Sequence, residues 1–284
     1  MASGTYGFGE EYERFYNPSI LGGISSKGLT LKAKPGNSGI RIWETPSGMM
    51  NSIGLENPGV ESFVKEILPK MKKYDTKIFV NLGGNSLEDY LQATEILNEV
   101  NLDFIELNIS CPNVKEGGLA FGLHCQDAGF ITKKVKDISK HKIIVKLSPN
   151  GEDVGELAKA CEANGADGIS LVNTFQAMAV DVKKRKPVFD NIYAGLSGPA
   201  IFPIALRMVR EAAGAVKIPV IGLGGISSAE DILAMLMVGA QAVQIGTMNF
   251  PRPRIGQEIL KELQESMKEN QIEDIQDIIG ILGK

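Results

Sequence analysis

One stretch gathers residue types that could do chemistry: Glu106-Leu-Asn-Ile-Ser-Cys-Pro-Asn-Val-Lys-Glu-Gly-Gly118. It opens as a short apolar run and becomes a glycine-bounded loop carrying Cys111 between Ser110 and Pro112. A free cysteine buried in a helix or strand is usually an inert hydrophobe, and Cys161 fits that description. Cys111 does not, because it follows a strand and precedes a proline that stiffens the loop. A thiol so placed is a candidate base: as thiolate, with a lowered pKa, it could take a carbon-bound proton. Rivals are few. The only histidines are His124 and His141. His141 lies in the polar turn Ser139-Lys-His-Lys142 and reads as solvated. His124 beside Cys125 is weak grounds for a metal site. No Ser-His-Asp set and no metal-ligand set stands out, so no metal is expected.

Three further groups could surround such a base. Lys27 and Lys146 interrupt apolar runs, which favours more than two lysines snorkelling from strand ends; a buried ammonium could hold negative charge on a reduced flavin ring. Asn51, Asn81, Asn108, Asn113 and Asn173 sit at or beyond strand ends or in long loops. An amide carries a donor and an acceptor side by side, so such a set could read the alternating groups of a planar imide such as a pyrimidine. Asn150 and Asn191 read instead as ordinary turn asparagines. Finally, Gly222-Leu-Gly-Gly-Ile226 and Gly246-Thr247 follow successive apolar runs. Glycine lets backbone N–H groups approach an anion, helped by the N-terminus of a following helix, and this pair of loops points to a phosphate ligand.

The elements that must position these groups alternate. Short apolar runs fall at 23–27, 78–82, 104–108, 143–147, 168–172, 219–223 and 242–245. Each is too short for a helix and lacks the alternation of a half-exposed strand, as in a parallel sheet covered on both faces. Helical stripes lie between them: Phe63, Ile67, Leu68 and Met71; Leu87, Tyr90, Leu91 and Leu97; Val154, Leu157 and Cys161; Ile232, Leu233 and Leu236; Ile259, Leu263 and Met267. Ser86 and Asp89 resemble a capping box. The pattern predicts an α/β fold, a (β/α)8 TIM barrel, as one domain over 1–284. Only seven strands are evident. The first barrel strand is expected to be missing or truncated, with Met1-Ala2 its remnant, and a barrel lacking it would leave two sheet edges unpaired. Three connections, 29–59, 110–122 and 173–198, exceed what a barrel needs. All follow strands, so they gather on the C-terminal face, where barrel enzymes keep their chemistry.

Bulk properties narrow the class. The chain has 284 residues, 43% hydrophobic, and a net charge of −4, enough for a large core and without an electrostatic reason to bind nucleic acid. No stretch has the apolar length of a membrane helix, and the amino terminus lacks the features of a signal peptide. Three cysteines, Cys111, Cys125 and Cys161, are an odd and sparse set that points to a reducing, cytoplasmic setting. Without a Cys-x-x-Cys, an iron–sulfur cluster with four ligands from this chain is excluded.

The motifs together resemble the dihydroorotate dehydrogenases of class 1, most of all the catalytic subunits of the NAD-linked type 1B. The matching stretches are Ala2-Ser-Gly-Thr-Tyr-Gly-Phe-Gly9, Ser26-Lys-Gly28, Glu44-Thr-Pro-Ser-Gly-Met49, Asn51-Ser-Ile-Gly-Leu55, Asn108 to Gly118, Lys146-Leu-Ser-Pro149, Asn173-Thr174, Leu196-Ser-Gly-Pro-Ala200, Gly224-Gly-Ile-Ser227 and Gly246-Thr247. They span essentially the whole chain. The resemblance implies FMN held by Ser3, Lys27, Gly28, Asn81, Asn108, Lys146, Val172, Gly198, Gly224, Gly225, Gly246 and Thr247. It implies dihydroorotate, oxidised to orotate, against Lys27, Asn51, Ser52, Ile53, Gly54, Leu55, Asn108, Asn113, Asn173 and Thr174, with Cys111 as base. Class 2 relatives carry serine there and a membrane-associated extension. It further implies a homodimer core with a partner subunit carrying FAD and a [2Fe–2S] cluster, since this chain shows neither a dinucleotide fingerprint nor cluster cysteines. Two other readings stay open: an FMN-dependent reductase of free pyrimidine bases, and a shortened, inactive remnant.

Overall fold

The computed structural model describes residues 1–110 and 122–282. Seven parallel strands form one sheet in chain order: β1 (Gly23–Ser25), β2 (Lys77–Leu82), β3 (Phe104–Asn108), β4 (Lys142–Lys146), β5 (Gly168–Leu171), β6 (Val220–Leu223) and β7 (Ala242–Gln244). They match the seven apolar runs to within a residue or two. Both faces of β3 to β6 are covered, which is why those runs do not alternate.

The seam between β1 and β7 is bridged by Met1 and Ala2. Met1 N–H donates to Gly23 O at 2.7 Å and Ser25 N–H to Met1 O at 2.9 Å, the slanted pattern of a parallel pair. Ala2 N–H donates to Ile245 O at 2.8 Å on the other side. Inside the seam Gln244 Nε2 reaches Ser25 Oγ at 3.2 Å. These two residues hold the eighth position of the ring, so the edges expected to be bare are joined at the C-terminal end of the barrel.

Helices cover the outside: α1 (residues 60–71), α2 (Leu87–Leu97), α3 (Cys125–Ile138), α4 (Val154–Ala163), α5 (Phe202–Ala215), α6 (Ala229–Met237) and α7 (Ile255–Glu269). Their apolar stripes face the sheet. Phe63, Tyr90, Leu97, Leu157, Cys161, Ile232 and Ile259 are buried, with Leu263 and Met267 at the margin. Each fully buried large side chain contributes about 1.5–3 kcal/mol. α1 widens into a π turn over Phe63–Ile67 just before Pro69, which has no N–H to continue the ladder. At α2 the box is incomplete: Ser86 Oγ accepts from Asp89 N–H (3.2 Å), but the Asp89 carboxylate turns to Asn85 N–H (3.0 Å). The reciprocal box is at Ser228 and Asp231 of α6.

Two of the long connections are not loops. Segments 29–59 and 173–198 each supply two strands to an antiparallel sheet on the C-terminal face, in the order Ile42–Thr45, Gly48–Asn51, Tyr193–Ser197, Phe175–Met178. One face of it packs a small core of Met50, Val188, Phe189 and Ala194. The third connection lies almost wholly outside the described residues. Among the described residues, no helix is long and apolar enough to cross a membrane.

Candidate active site

The strands deliver a polar cluster into the barrel. Side chains two apart on a strand point the same way, so Glu106 and Asn108 of β3 both face inward. The register pairs Asn108 with Lys146 of β4. Glu106 is fully buried. Its carboxylate accepts from Asn81 Nδ2 at 2.6 Å, Ser170 Oγ at 3.0 Å and Gln244 Nε2 at 3.2 Å. Lys146 Nζ stands 3.8 Å from the same carboxylate, with 6% of its side chain exposed. The ammonium donates a hydrogen bond to no described residue. A buried charge is held by a counter-charge and by polar partners. Here the carboxylate supplies the first, and among the described residues no other group accepts from Lys146.

From Glu106 a line of amides runs to the mouth of the barrel. Asn81 Oδ1 accepts from Asn108 Nδ2 at 3.3 Å. Asn108 Oδ1 accepts from Asn173 Nδ2 at 3.4 Å and from Ser110 N–H at 3.3 Å. Asn173 Oδ1 accepts from Thr174 N–H at 2.8 Å. Tyr90 OH fixes the backbone beneath, donating to Asn108 O at 2.8 Å. Three of the asparagines singled out in the sequence thus form one line. Lys27 and Gly28 lie at the end of β1, where Gly28 packs against Asn81 and Leu55.

The antiparallel sheet brings a second set to the same mouth. Asn51 donates to Gly195 O at 3.4 Å and pairs with Gly195 in the ladder. A side chain at Gly195 would collide with the Thr174 hydroxyl, so glycine lets the sheet close onto the end of β5. Ser52, Ile53, Gly54 and Leu55 continue from Asn51. Asn191 donates to Ser52 Oγ at 3.1 Å. Asn150 donates to Thr174 O at 3.1 Å and accepts from Gln176 N–H at 3.0 Å. Both lie in turns, as the sequence suggested, and each also ties its turn to a segment distant in the chain.

The two glycine loops meet at the ends of β6 and β7. No backbone hydrogen bond among the described residues uses the N–H of Gly224, Gly225 or Gly246. Gly225 has φ +78°, and a Cβ there would meet Phe202 N at 2.7 Å. Gly246 packs beside Ala2 and Thr5, which brings Ser3 to this loop. Thr247 Oγ1 donates to Ser197 Oγ at 2.8 Å, next to Gly198. Val172 N–H donates to Leu223 O at 2.8 Å, setting Val172 beside the same turn. Gly246 of the second loop stands at the N-cap of a short 3-10 helix, Thr247–Asn249, whereas the helix after the first loop is capped from within. The start of α6 is occupied by its own Asp231, whose Oδ2 accepts from Ser227 N–H, Ser227 Oγ and Ser228 N–H at 2.8, 2.9 and 3.1 Å. An anion would rest on the glycine N–H groups instead. Arg252 supports them from behind, donating to Ser227 O at 3.2 Å while paired with Glu258 and Glu262.

Cys111 and Asn113 lie outside the described residues. The two described cysteines are poor bases: burial pushes the Cys161 thiol up to about 12, and burial with the nearby Glu152 carboxylate pushes Cys125 up to about 11. His124 Nδ1 lies 3.0 Å from Glu152, whose other oxygen accepts from Cys125 N–H at 2.8 Å. That carboxylate caps α3, and no metal-binding group occurs among the described residues. His141 is not simply solvated: Nε2 lies 3.0 Å from Leu97 O. Glu106, Ser170, Gln244 and Arg252 had no part in the sequence reading of the site. Only the interruption of an apolar run by Glu106 could have signalled the first.

A β/α barrel with a buried ammonium, a line of amides and a glycine-lined anion rest on its C-terminal face is built as a cofactor-dependent enzyme. The chain belongs to the dihydroorotate dehydrogenase family, whose model matches residues 1–267. Members of that family are flavin-dependent oxidoreductases. The protein is 49% identical over 281 residues to a relative from Petrotoga mobilis, covering 99% of this chain and 94% of that one. It is 51% identical over 281 residues to one from Thermoanaerobacter pseudethanolicus, covering 99% and 93%. It is 50% identical over 281 residues to one from Brachyspira hyodysenteriae, covering 98% and 92%. All three relatives are named as the catalytic subunit of dihydroorotate dehydrogenase B (NAD+).

Proposed function

We propose that this protein oxidises dihydroorotate to orotate in pyrimidine biosynthesis, as the catalytic subunit of an NAD-linked enzyme working in the cytoplasm. The observation that carries the reading is Lys146: a buried ammonium that, among the described residues, has one counter-charge and no hydrogen-bond acceptor, beside a line of asparagines. Such a group suits a flavin, whose ring takes up negative charge on reduction.

The residues fit FMN. Gly224, Gly225 and Gly246 offer to a phosphate N–H groups that no other described residue uses, with Ser3, Val172, Gly198 and Thr247 around them. Lys27, Gly28, Asn81, Asn108 and Lys146 line the approach to the ring. When bound, FMN supplies the hydride acceptor for C6 of dihydroorotate. The remaining work belongs to the chain. Cys111 takes the proton from C5 as thiolate. Lys27 holds the substrate carboxylate. Asn51 through Leu55, with Asn108, Asn113, Asn173 and Thr174, orient the ring so that the C5 proton faces the thiolate. Lys146 holds negative charge at the cofactor.

Electrons then leave through a second subunit, in which we place FAD and a [2Fe–2S] cluster, around a homodimer of this chain. The relatives' designation as a catalytic subunit supports a partner. The test uses the purified, flavin-loaded protein. Dihydroorotate should bleach the flavin without oxygen, and orotate, but not uracil, should perturb its spectrum. NAD+ should be reduced rapidly only when the partner is added. Bleaching by dihydrouracil instead, or rapid NAD+ reduction by this chain alone, would refute the assignment.

A further inference from the structure

We propose that Asn57 is a positioning residue for the substrate segment: its amide holds Leu55 in a left-handed backbone conformation and so sets how residues 53–55 face the mouth. The inference rests on the reading that Asn51 to Leu55 meet the pyrimidine.

Two consecutive residues of that segment have positive φ, Gly54 at 76° and Leu55 at 54°. Glycine takes such a value without steric cost. Leucine does not, and it persists there only where its surroundings hold it. The Leu55 side chain shows why glycine does not serve instead. Its methyl groups lie against Gly28 and Gly83, beyond the ends of β1 and β2. The segment therefore combines a leucine side chain with a glycine-like backbone at one position.

Asn57 supplies the hold. It is buried, with 6% of its surface exposed. Its Nδ2 donates to Leu55 O at 2.6 Å and to Thr30 Oγ1 at 2.8 Å. Its Oδ1 accepts from Gly59 N–H at 2.8 Å and from Thr30 N–H at 3.1 Å. Both donors and both acceptor positions of the amide are used. Turning it over would set its oxygen against Leu55 O and its NH2 group against two N–H groups, so its sense is fixed. The Asn57 backbone is fixed as well: Lys34 N–H donates to Asn57 O at 2.9 Å, and Asn57 N–H to Lys34 O at 3.0 Å. A residue tied to two neighbouring segments thus grips one carbonyl, two positions back.

The near end of the segment is held separately. Asn37 Nδ2 donates to Ser52 O at 3.2 Å, and Asn37 N–H to Ile53 O at 2.9 Å. Between the two grips, the N–H groups of Ile53, Gly54 and Leu55 donate to no described residue. Relaxing Leu55 to a negative φ would redirect these groups, which is how Asn57 acts on a ligand it does not touch.

The test is a double-mutant cycle on the flavin-loaded protein, with orotate affinity read by calorimetry and by perturbation of the flavin spectrum. Asn57→Asp keeps an acceptor for Thr30 and Gly59 but sets an oxygen against Leu55 O. It should weaken orotate about tenfold, the effect of losing a buried hydrogen bond and opposing two acceptors, with flavin retention on gel filtration unchanged. Leu55→Gly removes the need for the grip. From the affinity of that variant as reference, adding Asn57→Asp should cost at most about threefold, because the two positions are coupled. If Asn57→Asp does not fold, Asn57→Ala is read in the same two backgrounds. Thr30→Val removes the other acceptor of Nδ2. It should lower the melting temperature yet bind orotate within about threefold of the parent. Undiminished affinity in Asn57→Asp, equal losses in the two backgrounds, or a loss in Thr30→Val matching that in Asn57→Asp overturns the positioning role. If orotate binds the parent and any of these results is found, this inference alone falls. If orotate does not perturb the flavin of the parent at all, the site reading falls and the inference with it.

Discussion

The barrel interior and the antiparallel sheet above it serve one mouth by opposite means. Inside the barrel the polar groups around Glu106 are buried, and Glu106 has no exposed surface at all. The sheet above is thin and open. Ile42 and Tyr193 are about half exposed, and Val182, on the hairpin beside it, is 80% exposed. The barrel carries the groups assigned here to the cofactor, whose position must not vary. The sheet and its connections carry Asn51 to Leu55, proposed above to meet a small molecule that comes and goes. Rigid residues sit where charge must be held, and residues on insertions sit where ligands exchange.

If this division is real, variants in the two regions should fail differently. The largest effect belongs to Cys111, the proposed base, which lies outside the described residues. Cys111→Ala should keep bound FMN yet slow flavin reduction by dihydroorotate about 10²–10⁴-fold, the usual weight of a general base. Serine there should recover activity only as pH rises. Stopped-flow reduction without oxygen reads both, and an undiminished rate in Cys111→Ala would remove it as the base. Next is Lys146→Met, which strands the Glu106 charge. Breaking a buried pair costs about 3–5 kcal/mol, so thermal melts should drop sharply and flavin should be lost on gel filtration. Asn150→Ala should touch only the substrate side. Losing such bonds costs about 0.5–1.5 kcal/mol, which corresponds to about threefold to tenfold in KM for dihydroorotate, with FMN retention unchanged. Flavin loss in this variant would erase the distinction between the regions.

The smallest effect lies at Glu152, outside both. Hydrogen bonds from the Cys125 backbone, the Cys125 thiol and His124 lower its pKa from 4.5 to about 2. A depressed acid stabilises the fold above its unfolded pKa and loses that contribution as pH falls through the folded one. The melting temperature of Glu152→Gln should therefore lie slightly below the parent at neutral pH, and the gap should close between pH 4.5 and 2. A gap that persists at pH 2 would deny the carboxylate its role at the start of α3.

The sequence made the barrel strands legible because burial on both faces leaves short, unbroken apolar runs such as 143–147. It hid the antiparallel sheet. Strands such as Ile42–Thr45 are four residues long, largely exposed, and joined by Thr45-Pro-Ser-Gly48, so they carry neither a buried run nor a clean alternation. Asn108 was legible because an amide at the end of a buried strand is unusual. Asn150 and Asn191 were not, because a turn is where asparagine belongs on local grounds, and their partners, Thr174 and Ser52, are distant in the chain. Glu106 escaped for a related reason: its partners come from β2, β4, β5 and β7, and only barrel closure brings them together.

The hydrogen bond from Thr247 to Ser197 joins the anion loop of β7 to the last strand of the antiparallel sheet, and Ala200 N–H donates to Ser47 O at 2.9 Å across the same junction. The two regions therefore share a hydrogen-bonded junction. Thermodynamic linkage makes any coupling through it reciprocal: the factor by which a bound flavin changes the affinity for substrate is the factor by which substrate changes the affinity for the flavin. Where that coupling is positive, substrate in the mouth holds the cofactor in place, and the proposed enzyme loses cofactor most readily when starved of substrate.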